Sequence, residues 1–417
     1  MQKHANPAES EELTRTHIPH VEFIAMVAAL MALNALAIDI LLPAFPDIAR
    51  DLAIDGNAIQ YVILSYVLGF GGAQLVFGPV SDRFGRRMPL FAGLAIYFVC
   101  AIAGAFAPNF TTVLIVRFLQ GIGAAATRVI ALAIVRDTQS GRTMAATMSM
   151  VMMVFMAVPI VAPFVGQGII LIGPWQHIFW FMALLAAFVA LWAGLRLRET
   201  LDPANRRSLS ASVILNGFYL VVSNRISLFY TIATAFFLST MFSFLNLAQP
   251  IFGEVYGLGA YFPLAMATGA TLMAVSSFLN ARLVGRFGMR RLSHGALIAH
   301  MILSCAASAY LYFHAVPLWQ FMLIMAIVMP LFGLIGANFN SIAMEPLGKV
   351  AGTASSVLGF TQTVGGGLIG GLIGQTFNGT PLPLIAGGAA MSVASLFCVL
   401  LAEKGRLFAS PNAAPSA

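Results

Sequence analysis

Twelve apolar runs of about 20 residues each, separated by short polar intervals, constrain this chain more than any other feature. That length crosses about 30 Å of hydrocarbon as a helix. The runs lie at about 21–43, 57–77, 88–107, 111–135, 144–171 and 176–197, then at about 226–252, 261–283, 293–313, 318–344, 352–376 and 382–402. Charged residues make up 9% of the chain and hydrophobic residues 59%. A soluble domain carries about 25% charged residues, so this chain cannot cover a water-facing surface and its solvent is lipid. The expected fold class is an all-α membrane protein with twelve transmembrane helices.

The basic residues set an expected orientation. The odd-numbered connections hold Arg50 and no other Lys or Arg. Nearly all the rest, from Arg83, Arg86 and Arg87 to Lys404 and Arg406, fall in the even-numbered connections and the tails. That bias places both termini in the cytoplasm. The net charge of +7 does not point to nucleic acid, because the Lys and Arg residues sit in short clusters between apolar runs. The expected organisation is a polar cytoplasmic tail at 1–20, a six-helix half at 21–198, a cytoplasmic linker at 199–225, a second half at 226–402 and a tail at 403–417. The first run is full spanning length with no small-residue cleavage pattern behind it, so it reads as an uncleaved helix. The middle of the linker, Leu209 to Val222, is partly apolar; it suits the inner membrane surface or a plain flexible connection. Cys100, Cys305 and Cys398 all lie in apolar runs and suggest no disulfide framework. The histidines lack metal-ligand spacing, and no nucleotide loop is present, so neither a cofactor nor an enzyme is expected.

Between the second and third runs stands Gly78-Pro79-Val80-Ser81-Asp82-Arg83-Phe84-Gly85-Arg86-Arg87. It recurs weakly after the eighth run as Arg286-Phe287-Gly288-Met289-Arg290-Arg291, with Gly285 where the first copy has Asp82. The order of Gly, Asp and Arg in the first copy resembles the loop signature of the major facilitator superfamily. That resemblance implies two pseudo-symmetric six-helix bundles and alternating access to a central site. It also implies a cytoplasmic gate motif of Gly78, Asp82, Arg83, Gly85, Arg86 and Arg87. Asp82 would face the start of the eleventh span near Gly352-Thr353-Ala354-Ser355, where helix N–H groups favour an acid.

Charges inside a spanning helix cost about 2.5–3.5 kcal/mol each on insertion scales. Asp39, Arg117 and Arg128 are the clear cases. Burial disfavours the charged form of a carboxylate, so Asp39 suits proton binding and release; a role at the helix end is the alternative. Arg128 follows Arg117 by three helical turns, about 16 Å deeper on the same face. That stripe, with Gln120 and Thr127, either lines a cavity or ties helices together through backbone carbonyls. Arg117, Gln120, Gly121 and Gly123 resemble the fourth-span motif of proton-driven facilitators, which implicates Arg117 in proton coupling beside Asp39. Asn34, Gln120, Arg128, Ser243, Asn246, Asn338 and Gln362 are the cavity or substrate candidates; interhelical hydrogen bonding is the alternative for them. Pro159, Pro163 and Gly166 form a helix-bending motif in the fifth span. Ala162 and Gln167 depart from the usual antiporter pattern there. With Asp39, Pro43, Pro46 and Trp175, the motif instead resembles the bicyclomycin and chloramphenicol resistance branch.

The expected function is therefore proton-coupled efflux of small, mostly apolar compounds across a bacterial inner membrane, by a monomer whose partners are cargo, protons and the lipid bilayer. Two other readings stay open. One is a proton-coupled carrier of a single acidic metabolite, by symport or export; the other is a membrane receptor that transports nothing.

Overall fold

A computed structural model of the chain describes residues 18–206 and 211–408. Most of the two expected tails therefore lies outside the described residues, as does 207–210 of the linker. Among the described residues the ordered structure is helical. The first half supplies α1 (His20–Asp39), α2 (Phe45–Asp51), α3 (Tyr61–Phe84), α4 (Arg87–Ala105), α5 (Phe110–Thr138), α6 (Gly141–Ile172) and α7 (Gln176–Arg196). A linker helix, α8 (Ala211–Ser223), follows. The second half supplies α9 (Arg225–Gln249), α10 (Phe262–Phe287), α11 (Met289–Phe313), α12 (Leu318–Val328), α13 (Pro330–Met344), α14 (Ala351–Gln375) and α15 (Leu382–Ala402). Together they make twelve spans long and apolar enough to cross a membrane.

Local chemistry sets several boundaries. Asn109 caps α5, its side chain accepting from the Thr112 N–H, and Asn224 caps α9 in the same way through Ser227. The first and tenth expected spans are interrupted at prolines. The first ends its α-helix at Asp39 and continues through a short 3-10 turn, Leu42–Ala44, into α2. The prolines at 43 and 46 supply no backbone donor, so α1 cannot run on unbroken. The tenth divides into α12 and α13 at Pro330 for the same reason. There the Ser276 hydroxyl of α10 donates to the Pro330 carbonyl, and Asn338 Nδ2 donates to Asn280 Oδ1 at 2.7 Å.

The described chain forms two compact units. The first comprises the chain up to Leu41 and Gly69–Ala211. In it α1 packs on α5, α6 and α7, and α4 packs on α5 and α7. Its close approaches are made by glycine. Gly93 of α4 and Gly123 of α5 lie backbone to backbone, where a Cβ on either would meet the other's carbonyl. Glu22, at the start of α1, is tied to the end of α7 by two bonds from Arg196, at 2.7 and 2.6 Å, and one from Trp192 at 3.2 Å.

The second unit comprises Leu42–Leu68 and the chain from Ser212 onward. In it α9 packs on α13, α14 and α15, and α11 packs on α13 and α15. These pairings repeat those of the first unit, span for span, as expected of an internal duplication. The start of the second span also belongs here. Gly367 and Gly371 of α14 leave room for Val67 and Leu64. Asn57 Nδ2 donates to the carbonyls of Gln375 (3.0 Å) and Phe377 (3.1 Å), and Gln375 Nε2 donates back to the Asn57 carbonyl at 3.0 Å.

Candidate functional site

Asp39 closes α1 and is 4% exposed. It has no hydrogen-bond or ion-pair partner among the described residues. An ionised carboxylate buried without a partner is costly, which is the condition a proton-exchanging group requires. The last carbonyls of a helix lack intrahelical donors, and Arg117 supplies one. Its Nη2 donates to the Ala37 carbonyl at 2.8 Å, while Nη1 donates to Gln120 Oε1 at 2.7 Å. Gln120 is held in turn by Met182, with Nε2 3.8 Å from its sulfur. The Tyr97 hydroxyl donates to the Leu33 carbonyl at 3.4 Å. Arg117 is 0% exposed, so it ties α5 to the last turn of α1 two residues before Asp39. Asn34 lies buried on the same helix, five residues before Asp39.

Gly166 of the fifth span is the third element of this corner. A Cβ there would run into the carbonyl of Ile40, the residue after Asp39. Pro159 and Pro163 stand inside α6, about two turns and one turn before this contact. Gly166→Val is expected to force the two backbones apart and cost about 1–3 kcal/mol by overpacking. Its thermal unfolding midpoint, followed by fluorescence-detected size exclusion, tests this, with a fall in proton-driven transport alongside.

Arg128 differs from Arg117. It is half-buried, and its guanidinium lies over the Phe70 ring, 5.7 Å from the centroid. Thr127, beside it, is satisfied by its own helix through the Ala124 carbonyl at 2.9 Å. The two arginines thus share a helix face but not an environment.

The loop at 78–87 is built around Arg86. Its Nη1 donates to Asp82 (2.6 Å) and Ser81 (2.9 Å), and its Nε and Nη2 bond Asp137 at 2.6 and 3.2 Å. Burial works against the Arg86 charge, but the bonds to Asp137 and Asp82 outweigh it and hold its pKa above the ordinary value. The carboxylate of Glu199 accepts from the backbone N–H groups of Arg86 (2.8 Å) and Arg87 (3.1 Å). Burial pushes the Glu199 carboxyl up, but the N–H groups of Arg86, Leu201, Arg87 and Thr200 together hold it below the usual range. Gly85 has φ of +90°, and a Cβ there would strike the Glu199 side chain. Gly78 accepts from Ser81 at 2.9 Å, Arg87 donates to the Gly194 carbonyl at 3.2 Å, and Arg83 is exposed. Asp137 and Glu199 escaped the sequence reading; each follows an arginine just past the end of a span. Arg86→Ala is expected to cost about 3 kcal/mol, at the low end for breaking a buried pair because the Asp82 side chain is 41% exposed. Thermal melts against Asp137→Asn and the double variant give the coupling.

The second unit repeats this arrangement. Arg290 Nε bonds Glu403 at 2.7 Å and Nη1 bonds Glu345 at 3.4 Å. These acids follow spans twelve and ten, as Glu199 and Asp137 follow spans six and four. Among the other candidates, Ser243 donates to the Ser239 carbonyl at 2.7 Å and Asn246 to the Phe242 carbonyl at 2.7 Å. Gln362 Nε2 reaches Asn340 Oδ1 at 3.2 Å. Most of these groups are satisfied within or between their own helices, Asn338 through Asn280 as described. Asn246 Oδ1 is buried with no hydrogen-bond partner among the described residues.

The fold defines the class: a multi-pass helical membrane protein. Three similarities refine it. The Major Facilitator Superfamily model matches residues 27–370. "Multidrug resistance protein MdtL" of Escherichia coli K12 is 31% identical, covering 92% of this chain and 96% of that protein. "Bicyclomycin resistance protein homolog" of Haemophilus influenzae is 28% identical, covering 87% and 91%. The fold also matches the crystal structure of a D-xylose–proton symporter with a TM-score of 0.72, at 14% identity over 93% of this chain and 99% of that one. The chain belongs to the Major Facilitator Superfamily.

Proposed function

We propose that this transporter exports small, mostly apolar compounds across a bacterial inner membrane in exchange for protons, as a monomer with both termini in the cytoplasm. The observation that carries the reading is Asp39, buried without a charged partner among the described residues while Arg117 grips the same helix turn. A group so placed gains or loses a proton at a cost that changes whenever α1 and α5 shift against each other. The multidrug and bicyclomycin resistance relatives support cargo of this kind. The basic residues of the loops support the orientation, and the loop around Asp82 and Arg86 stays part of the proposal as an inner-side latch.

The test is purified protein in lipid vesicles with an imposed pH gradient, scanned against chemically diverse compounds. Export of several unrelated compounds driven by inward protons is the expected result. Proton-linked uptake of one acidic metabolite would replace the reading, and no movement of any compound would point to a receptor.

A further inference from the structure

The charges deep in the spans do not balance. Apart from Asp39, the acids of the candidate spans stand near their ends: Glu22, Asp47, Asp51, Asp82, Asp137, Glu254 and Glu345. Arg117 and Arg128 are the deep cations. Arg117 has spent donors on Ala37 and Gln120 and is sealed from access. Arg128 is half-buried; among the described residues its guanidinium has no hydrogen bond or ion pair and lies over the face of Phe70. A guanidinium over a ring face gives the ring no conventional hydrogen bond, so its five N–H donors are left for other partners. A charge at this depth persists when a partner or a water-filled path compensates it.

We infer that Arg128, seated on Phe70, is the cargo subsite for an anionic group, so that the favoured cargo is an amphipathic organic anion with an aromatic or apolar body. The inference rests on the transporter reading above and narrows its substrate class. The ring of Phe70 offers apolar surface beside the cation, which fits an aromatic body carrying a sulfonate or carboxylate. Asp39 lies near the depth of Arg117, about 16 Å from Arg128 along the span, so proton and anion bind at separate places. Export of one anion for one proton moves two positive charges inward, and the pH gradient and an interior-negative potential drive it together.

Three probes of one shape and fixed charge test this: naphthalene-1-sulfonate, naphthalene-1-sulfonamide and (1-naphthyl)trimethylammonium. Binding to the purified full chain in detergent is measured by isothermal titration, so the result does not depend on coupling. The sulfonate is expected to bind about tenfold tighter than the sulfonamide, the difference between a charged and a neutral hydrogen-bond partner, and the ammonium weakest. In Arg128→Gln the sulfonate-to-sulfonamide ratio should fall to near one. In Arg128→Lys, which keeps the charge, the anion preference should survive. A preference retained in Arg128→Gln overturns the inference, as does a parent that binds the ammonium as well as the sulfonate. If Arg128→Gln loses all three probes equally, Arg128→Lys decides, and absence of anion preference there also overturns it. Failure of the wider reading looks different: the parent binds by charge as expected, yet in vesicles no probe moves with the proton gradient.

Discussion

Vesicles holding Asp39→Asn are expected to exchange cargo down its own gradient and to lose uphill accumulation. One proton exchanged across one pH unit supports about tenfold accumulation, since 1.4 kcal/mol is a factor of ten. The parent should approach that ratio and the variant should stay near about one, with a flat dependence on the pH gradient. The substitution keeps the size of the side chain and removes only its ability to ionise. Asp39 has no partner among the described residues, so no ion pair is lost and cargo affinity should change little. Accumulation by the variant equal to the parent's would sink the proton-coupling scheme while leaving the fold intact.

Arg117→Lys is expected to be almost as damaging, for a geometric reason. The guanidinium reaches the Ala37 carbonyl and Gln120 Oε1 at once, at 2.8 and 2.7 Å, from two different nitrogens. A lysine ammonium is a point charge and cannot hold both from one place. A buried acceptor left unmet costs about 1–3 kcal/mol, which corresponds to a fall of about fivefold to about 150-fold in the population of the working geometry. Initial rates of proton-driven transport across a pH series measure it. An unchanged rate and pH profile would show that the tie beside Asp39 has no part in coupling.

The sequence made the twelve spans legible because lipid demands long apolar runs, and made Asp39 and Arg117 legible because charge is rare within them. What it hid depends on distance along the chain. Arg86 meets Asp137 and Glu199 across 51 and 113 positions. Each acid looked like an ordinary residue beyond a span, and packing alone makes the three a cluster. The division of the tenth span at Pro330 was hidden for another reason: proline is tolerated inside apolar membrane helices, so its presence there did not announce a break. Gly166 was visible as part of the helix-bending motif, yet nothing in its neighbourhood announced Ile40 as the backbone it would touch. The contrast between Arg117 and Arg128 was likewise invisible, since helical spacing gives a shared face but not what covers it.

The join between Asn57 and Gln375 uses carboxamides and main-chain oxygens, with glycines beneath Val67 and Leu64. In the orientation proposed above it faces the world beyond the cell. Neutral partners neither titrate nor attract counterions, so brine, fresh water or an acid medium leaves that seam equally firm. The bonds around Arg86 and Arg290 are ionic and loosen as salt rises, but they lie on the side where the cell regulates its own salt. A microbe carried between habitats would thus keep the same outer door, with changes in the medium felt mainly through the proton supply.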